Sequence, residues 1–169
     1  MNRIALLAIG ALAMMGAATS AHSQPAVIKL PSISVETAVK AASAALAECR
    51  AKGALVAVAV TDRSGIVLAL LRDPLAGMHT PDAASRKAWT AASFRNATSV
   101  LERATAAGTD SNGIRQLPGV AMVGGGLPVT AAGQQVGAIG VSGAPSGRLD
   151  EVCAEAGLAV VRDDLEMSQ

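Results

Sequence analysis

Residues 54–72 read ALVAVAVTDRSGIVLALLR, and this run decides the fold. Its first half is apolar at every position up to Thr61, without the in-and-out alternation of a strand wetted on one side. Both faces of that strand must therefore be covered. Asp62, Arg63, Ser64 and Gly65 then supply a polar, glycine-ended break, after which a second apolar strand runs to Arg72. A hairpin makes the sheet antiparallel, and covering both of its faces calls for helices.

Upstream of the hairpin, Ser34 reads as an N-cap. Apolar Ala38, Val39, Ala42, Ala45, Leu46 and Cys49 follow at helical spacing, and Gly53 ends the helix. Downstream, Thr80, Pro81 and Asp82 give three agreeing helix-start signals: a capping hydroxyl, a proline in the first turn and an acid beside the helix dipole. That helix is predicted to reach about Phe94, and a further one to run from a Thr98 cap to near Gly108. After the polar loop GTDSNGIRQLPG come three extended pieces, VAMV, LPV and QVGAIGVS. Ser146 or Gly147 opens a last helix with Leu149, Val152, Cys153, Ala156 and Val160 on its inner face. The expectation is an α/β (α+β) fold, a central antiparallel sheet of about five strands with helices packed on it.

The chain begins with Arg3, an apolar run from Ile4 to Met15 and small residues, the pattern of a secretory signal peptide cleaved best after Ser23. The expected organisation is a leader over 1–23, an extension over 24–33, one domain over 34–165 and a tail over 166–169. Export to the periplasm or the exterior follows. The apolar run falls short of the roughly 20 residues a membrane span requires, so the mature form is expected to have no span. Losing Arg3 with the leader brings the net charge from +1 to zero. With no basic surplus, one Trp, one Phe and no Tyr, nucleic acid is not an expected partner.

GVSGA at 140–144 comes close to a nucleophile elbow, but that motif needs a histidine later in the chain, and none follows Ser142. It reads as a strand end turning toward a helix cap. The triple glycine at 124–126 is followed by Pro128 and a strand rather than by a helix, so it reads as a bend where backbone comes close to something else. Two cysteines and one mature histidine do not make a zinc site. Cys49 and Cys153 both project from apolar helix faces, either as buried free thiols or as a disulfide if the first and last helices share one side of the sheet.

His79 precedes the Thr80 helix start, where the positive end of the dipole favours a neutral imidazole. That is the form that ligates iron. Met78, Ala83, Ala84 and Trp89 can furnish apolar surface for a porphyrin, and Arg72, Arg86 and Lys87 cations for its propionates. The alternative is a surface histidine beside an ordinary Asp82–Arg86 helix pair.

VAVAVTDRSGIVLALLR, HTPDAASRKAWTAASF, VGGGLPV and VGAIGVSGAPSGRLDEVCAEAGLA, in this order, resemble the GlcG/HbpS family of haem-binding proteins. The similarity spans residues 33–161. It implies a profilin-like fold, homo-oligomers and haem binding, in some members linked to iron handling, redox sensing or haem degradation. The helix carrying Arg86 and Lys87 matches an RKAYTA-like segment of the family, with Trp89 in place of the tyrosine. The axial ligand differs among members, so His79 is expected to hold iron as this chain's one histidine ligand. Fold membership alone leaves two other functions open: an enzyme acting on haem, a small organic acid or a peroxide, and a non-catalytic assembly module. The sequence offers no acid–base pair for the former, so an enzyme is not the favoured reading.

Overall fold

The computed structural model describes residues 25–167. The signal peptide expected over 1–23 lies outside the described residues. The hairpin forms as β1 (Ala57–Asp62) and β2 (Val67–Arg72). Asp62 organises the turn, its Oδ1 accepting from the backbone N–H of Ser64 at 2.8 Å and of Ile66 at 2.9 Å. The side chain thus supplies the acceptor a tight turn needs.

β1 pairs on its other edge with β4 (Gln134–Ser142), and β4 with β3 (Gly126–Ala131), all antiparallel, in the order β2-β1-β4-β3. The sheet has four strands, not the expected five. Residues 120–123 stay out of it, with backbone donors turned elsewhere: the Val120 N–H donates to the Leu117 carbonyl at 3.4 Å and the Ala121 N–H to Thr90 Oγ1 at 2.9 Å.

α1 (Val35–Ala51) and α4 (Gly147–Ala159) cover one face of the sheet, where Val56, Val58, Val60, Val129, Ile139 and Val141 make the main core. α2 (Thr80–Phe94) covers the other, across a seam made wholly of alanine: Ala57, Ala59 and Ala138 from the strands, Ala84, Ala88, Ala91 and Ala92 from the helix. The seam is this thin because Gly140 lies under the helix, where a Cβ would come 2.2 Å from the Ala84 carbonyl oxygen. α3 (Thr98–Ala104), a 3-10 turn (Asn112–Gln116) and α5 (Arg162–Met167) complete the order.

α1 and α4 on one face bring Cys49 and Cys153 to a Cα separation of 5.5 Å, and they form a disulfide. On the chain-entropy account, closing a loop of about 100 residues stabilises by about 4.7 kcal/mol. α4 is turned about its axis relative to the expected face: Asp150, Cys153, Ala154 and Gly157 point inward and Val160 is exposed. Gly157 sets this rotation, since a Cβ there would lie 2.6 Å from the Ala41 carbonyl of α1. α3 is shorter than expected, and the Thr98 hydroxyl does not cap it. Instead it accepts from the Gly126 N–H at 2.8 Å, tying the triple glycine down.

Candidate functional site

The hairpin delivers its chain into a loop, residues 73–79, that is pinned from beneath. Asp73 is buried, its Oδ1 accepting from Arg50 Nε at 2.8 Å and lying 2.7 Å from Nη2. Its backbone N–H donates to the Val56 carbonyl at 2.9 Å. Ala76 is buried, and the Arg72 guanidinium donates to its carbonyl. The Thr80 hydroxyl donates to the Gly77 carbonyl at 2.8 Å, so Thr80 opens the helix from its first position while His79 takes the N-cap site.

This pinning leaves Leu75, Met78 and His79 turned outward, Met78 at 92% exposure. Among the described residues the imidazole has no hydrogen-bond or ionic partner. Its ring rests over Gly77, where a Cβ would come 2.7 Å from Cε1. Both ring nitrogens remain available.

His79, Asp82, Arg86 and Trp89 follow at i, i+3, i+7 and i+10, which places them on one stripe of α2. Trp89 lies over the hairpin turn, its Cδ1 2.8 Å from where a Gly65 Cβ would stand. A hollow of about 310 Å³ opens there, lined by Gly65, Val67, Ser85, Arg86, Trp89 and Gly119, at the lower end of the range for small-ligand pockets. Leu70 extends its apolar margin along the α2 side of β2, opposite Ala59 and 46% exposed. Arg86 Nε is 2.8 Å from Asp82 Oδ2 in an exposed i,i+4 pair.

The structure therefore brings Arg86 and Trp89 together. His79 and Met78 stand at the other end of the stripe, about 15 Å from Trp89 by helical rise, and Arg72 braces the loop beneath them. Ala83 is half-buried and Ala84 is sealed in the alanine seam.

Lys87 is placed elsewhere. It is buried, with Nζ 2.7 Å from Asp150 Oδ2 and 2.9 Å from the Val141 carbonyl. Asp150 Oδ1 accepts from the Ala144 N–H at 3.0 Å. Burial lifts the Asp150 carboxyl above its ordinary range, outweighing the attraction of the Lys87 ammonium. Lys87 and Asp150 thus link α2 to α4 past the end of β4, and the ammonium is committed inside the protein. Sequence reasoning missed Asp150, although the residue stands four positions after the Ser146 cap. It also missed Asp73, which nothing in its surroundings marks.

A four-stranded antiparallel sheet with helices on both faces defines an α+β protein. Residues 33–159 match the family model described as "Haem degrading protein HbpS-like", and the chain belongs to that family. A crystal structure of a double mutant of Streptomyces reticuli HbpS is 42% identical, with a TM-score of 0.77 over 86% of this chain and 98% of that one. A Klebsiella pneumoniae protein, ORFY, of family DUF336 is 27% identical, with a TM-score of 0.78 over 81% and 95% of the two chains. A crystal structure of a PduOC:heme complex is 25% identical, with a TM-score of 0.70 over 76% and 94% of the two chains. No curated protein sequence matches.

Proposed function

We propose that this is an exported haem-binding protein, serving iron handling or redox sensing, in which His79 coordinates the iron. One observation carries this reading: the exposed, unpartnered imidazole of His79 begins a helix stripe that continues through Arg86 to Trp89. Family membership and the haem complex of a relative support the ligand class. When bound, the haem supplies a redox-active iron whose behaviour its axial ligand and surroundings set. The chain's residues hold and orient it. Met78, Leu75 and Trp89 offer apolar surface. Arg86 exchanges Asp82 for a propionate, and giving up such an exposed pair costs only about 0.2–0.5 kcal/mol. Arg72, one of its donors engaged at Ala76, keeps others for the ligand and steadies the loop. Lys87 acts from inside, fixing α2 rather than touching the ligand.

The disulfide between Cys49 and Cys153 supports export, since such bonds persist in oxidising compartments. The apolar margin formed by Val67, Leu70 and Trp89 supports a homo-oligomer in which a second copy gives the bound ring its far wall. Titrating the purified mature protein with hemin tests the reading. A saturable Soret shift at a fixed ratio of haem to chain is expected. Absorbance that follows free hemin throughout contradicts it.

A second reading, haem degradation, is favoured by the family model's description. Adding ascorbate to the hemin-loaded protein separates the two: progressive loss of the Soret band with release of iron marks turnover, and a stable band marks a binding protein.

A further inference from the structure

The inner face of α2 is sealed on the alanine seam, while His79, Asp82, Arg86 and Trp89 on its outer face are exposed. Apolar side chains gather beside that outer face. Leu75 and Met78 stand on the loop before the helix and Val67 and Leu70 on β2, all of them exposed. Trp89 is the chain's only tryptophan, and it too is left exposed. Apolar surface collected on one face and rimmed by charge marks a contact with another macromolecule. Tryptophan and arginine are the side chains that dominate such contacts.

The order of residues along the stripe says which macromolecule. It is symmetric about residue 84: Asp82 stands two positions before and Arg86 two after, His79 five before and Trp89 five after. Turned end for end, the stripe presents an acid where it had a base and an indole where it had an imidazole. Two copies laid antiparallel, with a two-fold axis at residue 84, bring each Asp82 to the partner's Arg86 and each His79 to the partner's Trp89. An isologous contact requires a self-complementary patch of this kind. Sliding the axis to either charged residue sets that residue against its own copy, and parallel pairing sets both against their like, which disfavours those arrangements. Arg86 Nε is 2.8 Å from Asp82 Oδ2 of its own chain. The guanidinium carries further donors, so it can serve the partner's Asp82 as well.

We propose that a second copy of this chain covers the outer face of α2, the two helices packing antiparallel about residue 84. Burial of Trp89, Leu70 and Met78 drives the association. The charges set its register, since exposed ion pairs contribute little by themselves. The partner's Leu75 and Met78 then close the hollow of about 310 Å³ beside Trp89, and a site built around His79 is completed by the second copy.

This inference builds on the homo-oligomer proposed above, and its test uses mature protein free of hemin, so that its failure and a failure of haem binding are read separately. Sedimentation equilibrium from micromolar to millimolar chain concentration is expected to show a dimer, or a larger assembly with an even number of chains. Arg86→Asp sets acid against acid across the axis, and the dissociation constant of the dimer should rise at least tenfold. Adding Asp82→Arg to Arg86→Asp exchanges the two charges and restores the pairing, so the double variant should return to within threefold of the wild type. Trp89→Ala should weaken the dimer at least tenfold with far-ultraviolet circular dichroism unchanged. Three results overturn the proposal: a monomer at every concentration, an Arg86→Asp variant that assembles as the wild type does, or an exchanged double variant that assembles no better than Arg86→Asp.

Discussion

The two faces of the sheet are built from different side chains and do different work. Beneath α1 and α4 the core is valine and isoleucine, closed by a disulfide. Beneath α2 it is alanine and Gly140. Large side chains bury more apolar area and so contribute more stability per residue. Small ones contribute less, but they let backbone meet backbone and fix where a helix lies. The face that stores stability is therefore separate from the face that positions His79, Arg86 and Trp89.

Removing the bridge with Cys49→Ala and Cys153→Ala together tests that separation most severely. A loss of about 4.7 kcal/mol in urea unfolding is expected on the chain-entropy account, with hemin binding by the folded fraction unchanged. A parallel loss of hemin affinity would show that the two faces are coupled.

Lys87→Met cuts the strut between them. Leaving the Asp150 carboxylate buried without its cation is expected to cost about 3–5 kcal/mol near neutral pH, whereas Lys87→Met with Asp150→Leu is expected to be close to neutral. Because the Asp150 carboxyl is raised from its ordinary 3.8, the folded chain binds that proton more tightly than the unfolded chain. This contribution to stability is whole below 3.8 and is lost as pH rises through the raised value. Unfolding at stepped pH should show the trend in the wild type and not in the apolar double variant.

Gly140→Ala presses on the thin seam directly. It should cost about 1–3 kcal/mol by overpacking, and it should weaken hemin binding more than the bridge variant does, because it displaces α2. Asp82→Ala is the gentlest change: stability should stay within about 0.5 kcal/mol, while hemin binds somewhat more tightly through a released Arg86.

How far the sequence disclosed this division depended on the range of the forces involved. The hairpin and the helix ending at Gly53 rest on local rules of turn chemistry and periodicity, and they stand as read, whereas α2 starts one residue early, with His79 rather than Thr80 at its cap. The sequence left Cys49 and Cys153 as buried thiols or a disulfide, and the placing of α1 and α4 on one side of the sheet decides for the bridge. Residues 120–123 misled because an apolar stretch can satisfy its backbone on side chains such as Thr90 as well as on a neighbouring strand. Lys87 misled because charge outweighed position: it sits one residue before Ala88 and three after Ala84, beside the buried stripe, and only its distant partner Asp150 makes burial affordable. α4 turned because Gly157 admits α1 closely, which periodicity alone does not weigh. Of the site itself, the sequence singled out His79, Arg86 and Trp89, and their common stripe follows from spacing. The pinning of the loop by Asp73 and Arg72 is tertiary and was not legible.

The most direct measurement compares Soret spectra of hemin titrated into wild-type protein and into His79→Ala, both confirmed as folded by far-ultraviolet circular dichroism. The imidazole-ligated band of the wild type should be lost or displaced in the variant, with affinity reduced at least tenfold. An identical band and affinity in His79→Ala would contradict the assignment of iron to this residue.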